Sequence, residues 1–227
     1  MSEWWTYSLS DFLLFSPRTY YRLFELYNLE LWPAHILTLA MGFAILALWR
    51  GGGAGQSRLV ALILSVCWLW VAWAFLLGRY DAINWAARYS AIGFAIEALL
   101  IAWSGLVRNR LWLRTTADAA SVWGICILLF ALAVQPLIGP LVGRSWLQVE
   151  VFGMTPDPTV TATLGVALAA RRWGLLIIPL FWCAISGATL WVMQSPDAFV
   201  MPSLGLLVLV VMIWSAVKGP PARPAKH

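Results

Sequence analysis

Charge is what this sequence is shortest of. Among its 227 residues only 11% are Asp, Glu, Lys or Arg, where a soluble domain carries about 25%. Hydrophobic residues make up 62%, and mean hydropathy is +0.80. So little polar surface cannot coat a water-soluble particle, which excludes a soluble globular domain and points to a polytopic membrane protein. The net charge of +5 and pI near 9.4 would suggest nucleic acid in a soluble chain. Here they have a simpler account: arginines at helix ends that orient spans and meet anionic headgroups.

The residues of catalysis are equally scarce. Cys67, Cys126 and Cys183 fall in separate apolar runs with no CxxC, so a zinc or dithiol site has no support and buried free thiols are expected. Histidine occurs twice, as His35 and His227. Neither HExxH, GxGD nor a GxxxxGKS/T phosphate loop is present, and one internal histidine offers no Ser/His pairing. The chain is therefore not expected to be an enzyme, and no cofactor is indicated. Residues 1–15 contain acids and no Lys or Arg, unlike a cleavable signal peptide.

What is abundant is long apolar sequence. Six runs, at 32–49, 59–78, 87–107, 119–139, 174–194 and 202–217, each approach the ~20 residues a helix needs to cross the hydrocarbon core. A seventh, 159–170, is shorter, ~18 Å as a helix, and ends on Arg171-Arg172. The fold class is all-α, a transmembrane helical bundle of seven spans with a short fifth helix, or of six spans plus a re-entrant segment. Charge bias does not separate the two, since each puts ten of the fifteen basic residues inside. The dense basic loop 108–114 and the acid-rich N-terminal segment favour seven. Both place the C-terminus in the cytoplasm.

Three regions result. Residues 1–30 hold an amphipathic interfacial helix, with Ser16 as N-cap, Pro17 in the first turn and an apolar stripe of Tyr20, Leu23, Phe24 and Tyr27. Residues 31–217 form the transmembrane domain. Residues 218–227 form a disordered cytoplasmic tail. Of sixteen tryptophans, Trp32, Trp49, Trp85, Trp112, Trp146 and Trp173 fall at span ends, as an aromatic belt requires. The deeper ones pack against lipid or neighbouring helices, with pigment or quinone contact as the alternative.

Two features carry candidate chemistry. Glu97 sits midway along run 87–107, where a lone acid is costly and hence a candidate protonatable or cation-facing group. Gly93, four residues earlier, is expected to admit another backbone to that face. The second feature is VFGMTPDPTVTATLG, residues 151–165. Thr155 and Asp157 are capping types, Pro158 suits a first helical position, and Thr159 and Thr163 share a face. A helix this short, anchored by Arg171-Arg172 at the cytoplasmic interface, must begin ~10 Å below the outer surface. Non-helical backbone must descend to it, and such backbone is tolerated in a membrane only inside protein or beside a wet cavity. A capped helix start that binds nothing explains the segment as well as a ligand site does.

The segments FGMTPDPTVTATLG, QPLIGPLVGRSW, IPLFWCAISGAT and YNLELWPAHIL resemble a family of bacterial multi-pass membrane proteins of unknown function carrying an FGxTPDPT motif. That resemblance implies a bacterial inner (plasma) membrane location and no mechanism. Two functions stay open. One is a small-solute or ion transporter or channel, with a path between the short helix and Glu97 lined by Asp157, Thr155, Thr159 and Thr163. The other is a structural or accessory subunit of a larger membrane complex or homo-oligomer. The bilayer is the expected partner in both.

Overall fold

The computed structural model describes residues 15–109, 111 and 118–218. The acids Glu3 and Asp11, the loop residues Arg110, Trp112 and Arg114, and the tail with Arg223, Lys226 and His227 lie outside the described residues. Within them the fold is all-α, with no strand.

Helix α1 (Pro17–Glu30) begins as the sequence predicts, with Ser16 Oγ accepting from Thr19 N at 3.2 Å and Pro17 in the first turn. It then does more than lie at an interface. Leu23, Phe24 and Tyr27 are buried. The Asn28 amide donates to the carbonyls of Leu147 and Val149, and Tyr27 Oη donates to the Met154 carbonyl at 3.0 Å. Thus α1 clamps the segment that leads into the polar motif.

Six helical stretches are long and apolar enough to cross a membrane. They are α2 (Ala34–Gly51), α3 (Ala54–Trp70) with its continuation to Ala82, α4 (Ala87–Ala102) continued to Val107, α5 (Ala119–Leu129) running on into α6 (Gln135–Leu141), α8 (Ile177–Val192) with the turn before it, and α9 (Val200–Val217). Gly52, at φ 63°, turns the chain between α2 and α3. α3, α4 and α5 each widen into π-helical turns, at Val71–Leu77, Trp103–Val107 and Phe130–Val134.

Between α6 and α8 lies α7 (Pro156–Ala169), fourteen residues long and so ~21 Å. Every one of its residues is buried. Among the described residues no other long helix is enclosed in this way; Leu37, Leu99, Phe181 and Leu206 on four of the long helices are each more than 60% exposed, as lipid-facing side chains would be. α7 lies closest to α5. A Cβ on Gly165 would stand 2.6 Å from the Gly124 carbonyl oxygen, and the converse distance is also 2.6 Å, so two glycines let these backbones touch.

Ion pairs fix the direction of α7. Arg144, after α6, bonds Asp197 before α9 at 2.5 Å. Arg171, just after α7, bonds Asp118 at the start of α5 at 2.6 Å and reaches the Ser215 carbonyl near the end of α9. α7 therefore carries the chain from one end of the bundle to the other instead of doubling back. The segment that feeds it, residues 142–155, has one 3-10 turn at Trp146–Gln148 and otherwise irregular backbone, and residues 151–155 are buried. The expected buried helix start reached by non-helical chain is observed.

Trp32, Trp85, Trp146 and Trp173 are exposed at helix ends. Trp49 differs: it is 2% exposed and packs inside the bundle, close enough to Gly124 that a Cβ there would meet it.

Candidate functional site

The threonines of the motif build a ladder. Thr155 is the N-cap of α7 by backbone conformation, but its hydroxyl caps no helical N–H. It faces backwards, accepting from Val151 N at 3.1 Å and donating to the Val151 carbonyl at 3.2 Å. Thr159 Oγ1 donates to the Thr155 carbonyl and accepts from Gly153 N at 2.9 Å. Thr163 Oγ1 donates to the Thr159 carbonyl and accepts from Trp68 Nε1 at 2.8 Å. The Thr155 and Thr159 hydroxyls take up the Val151 and Gly153 N–H groups, and the Thr163 hydroxyl takes up the Trp68 indole N–H, donors that burial would otherwise orphan. Thr155, Thr159 and Thr163 share a face, as expected, and that face is turned into protein.

Pro156, two residues earlier than the expected Pro158, holds the first helical position. Asp157 thus lies inside the first turn, and its carboxylate points outward to α8. Oδ1 accepts from Trp182 Nε1 and Oδ2 from Ser186 Oγ, both at 2.7 Å.

Asp157 also lines a cavity of about 20 Å³ together with Gln135, Arg144, Glu150 and Asp197. The Arg144 guanidinium pairs with Asp197 at 2.5 Å, lies 3.6 Å from Glu150 and stacks 4.8 Å from the Tyr21 ring centroid. Ser195 Oγ donates to Asp197 Oδ1 at 2.5 Å and meets Tyr21 Oη at 2.8 Å. Arg144 Nε and Nη1 and Gln135 Oε1 are buried without hydrogen-bond partners. Unsatisfied donors and an acceptor around a cavity large enough for one water are the arrangement that holds an ordered water. Charge is unbalanced, with three carboxylates facing one guanidinium. Burial, followed by the nearby Asp157 charge, raises Glu150 well above the usual carboxylate range. Among the described residues no three His, Cys, Asp or Glu side chains converge to hold a metal.

Residues 18–220 match a family of unknown function, DUF6064. The chain belongs to that family. No curated protein and no solved structure matches it. The DUF6064 match takes in the whole cluster from Tyr21 to Asp197, the threonine ladder and Glu97.

In this DUF6064 chain Glu97 stands apart from the cluster. It is 0% exposed on α4, and neither carboxylate oxygen has a hydrogen-bond partner. It does not line the cavity at Asp157. What joins the two regions is aromatic. Phe94, three residues before Glu97, lies 4.3 Å from Trp68 and 5.0 Å from Trp182 by ring centroids, and both indole N–H groups end on α7. Trp68, Phe94 and Trp182 thus form an aromatic stack between α3, α4 and α8, bonded to α7. Gly93 also differs from expectation: a Cβ there would meet only Ile178, at 3.9 Å, so no backbone approaches it. It lines an apolar groove of about 370 Å³ between α4 and α8 instead. His35 Nε2 bonds Asn28 Oδ1, and Asp81 pairs with Arg88.

The residues that sequence reasoning missed are Arg144, Glu150 and Asp197. Each looks like an ordinary loop charge. The available signal was their position: all three fall in the loops at the end of the bundle where the motif must begin.

Proposed function

We propose that this is an integral membrane protein of a bacterial inner membrane, C-terminus in the cytoplasm, that takes up and releases a proton at the Asp157–Glu150–Asp197 cluster. α7 serves as its short fifth span. The observation that carries this reading is the charge imbalance around a water-sized cavity: Asp157, Glu150 and Asp197 line it with Arg144, which pairs with only the latter two. Full ionisation of the three would leave uncompensated charge in a low-dielectric site, so the cluster favours holding a proton. The cavity volume of about 20 Å³ supports a proton or water and is too small for an organic solute. Transport of a larger solute would need α7 to move against α5, where the Gly124–Gly165 approach leaves no slack. No catalytic constellation enters the proposal.

The test is pH-jump proton uptake in proteoliposomes carrying an internal pH dye. Wild type should exchange protons faster than empty liposomes, and Asp157→Asn should return the rate to background. Equal rates for wild type and empty liposomes would remove the transport reading. A second reading, an accessory subunit of a larger membrane complex or a homo-oligomer, is favoured by the closed core and the broad apolar exterior. It gains if the protein purifies with a fixed partner or as a defined oligomer and shows no flux.

A further inference from the structure

A cleft of about 670 Å³ opens between α1 and the end of the α3 continuation. Arg18, Arg22 and Arg79 line it against a single acid, Glu25. Leu23, Leu26, Ala82 and Ile83 supply an apolar wall. Two of the arginines are ion-paired, Arg22 to Glu25 and Arg79 to Glu30. Arg18 is exposed and makes no hydrogen bond or ion pair among the described residues. The cleft lies at a bundle end, beside a helix with one buried and one exposed face, where lipid headgroups would lie.

We propose that this cleft binds the phosphate headgroup of an anionic phospholipid. Arg18 supplies the uncommitted charge and forked donors that suit a phosphate. Arg22 and Arg79, each paired with an acid, leave guanidinium donors at the cleft that need little further ordering on binding. Leu23, Leu26 and Ile83 accept the glycerol and upper acyl chain, which a free phosphate lacks. This is the arrangement by which basic pockets on membrane proteins select anionic lipids, and it is independent of the carboxylate cluster.

The experiment is native mass spectrometry of the full chain in detergent, titrated with dioleoyl phosphatidylglycerol or dioleoyl phosphatidylcholine. Phosphatidylglycerol should give a saturable single adduct and phosphatidylcholine should not. Arg18→Ala should weaken the adduct about fivefold, near the value of one basic residue at an anionic surface, with Arg18→Lys intermediate. Because Arg18 is exposed and has no partner among the described residues, its removal should spare the fold. Raised salt should weaken the wild-type adduct in parallel, a readout that needs no variant. Arg108→Ala, outside the cleft, should bind like wild type. Equal adducts for the two lipids, or an unchanged adduct in Arg18→Ala, would overturn the proposal. So would full displacement by millimolar inorganic phosphate, which would mark a soluble-anion site instead.

Discussion

Trp182 on α8 donates its indole N–H to Asp157 on α7 at 2.7 Å, and Ser186, one turn further along α8, donates to the other carboxylate oxygen at the same distance. The acid is thereby the acceptor that ties the enclosed helix to an outer one. Asp157→Ala leaves a buried indole N–H and a buried hydroxyl unpaired. Each orphaned group costs about 1–3 kcal/mol, so thermal unfolding in detergent should show a clear loss. Asp157→Asn keeps one acceptor oxygen for Trp182, and Ser186 can turn to accept from the new amide. Its loss should be well below that of Asp157→Ala. Similar losses for the two would mean that charge, and not hydrogen bonding, holds the contact.

The same logic applies nearly two turns further along α7. Thr163→Val is nearly isosteric but removes the acceptor of the Trp68 N–H, and Trp68 is fully buried. A loss of about 1–3 kcal/mol is expected. The Trp68→Phe/Thr163→Val double variant should recover part of it, because it removes both polar groups together. Additive losses in the double-mutant cycle would contradict the pairing.

The membrane class, the six long helices and the buried start of α7 were legible because they follow from hydrophobic length measured against a bilayer. Thr159 and Thr163 were legible as one face from their spacing. The partners were not. Arg144 meets Asp197 across 53 residues of sequence and Trp182 meets Asp157 across 25, and nothing local encodes those pairings. Glu97 was legible as a buried lone acid from its depth, but its separation from the Asp157 cavity was not, because that depends on how α4 packs beside Trp68 and Trp182.

Glycines separate along the same line. Gly165→Ala would force a Cβ to 2.6 Å from the Gly124 carbonyl oxygen, a backbone atom that cannot swing aside. α5 and α7 would have to part, at a cost of about 1–3 kcal/mol or more. Gly93→Ala has room, with Ile178 at 3.9 Å, and gains helix propensity of up to ~1 kcal/mol. Thermal unfolding should therefore move in opposite directions for the two variants, and a stable Gly165→Ala protein would mean that the helices are not this close.

The direction of α7 can be checked without flux. Cysteines introduced one at a time at Gln148 and Arg172, in a background with Cys126→Ser, should label from opposite sides of intact cells with an impermeant maleimide. Labelling of both from the same side would turn α7 into a re-entrant segment.

The last expectation concerns pH. Burial, with Asp157 next to it, pushes Glu150 up from 4.5 to about 8. The folded chain then holds this proton more tightly than the unfolded chain does. Glu150's contribution is fully present below about pH 4.5 and is lost as pH rises towards about 8. Unfolding temperature in detergent should fall across that window. Glu150→Gln mimics the protonated acid beside Arg144, Asp157 and Asp197, and should flatten the fall while leaving low-pH stability nearly unchanged. A wild-type curve that rises with pH would place the carboxylate under the control of Arg144 instead, as an ordinary ion pair.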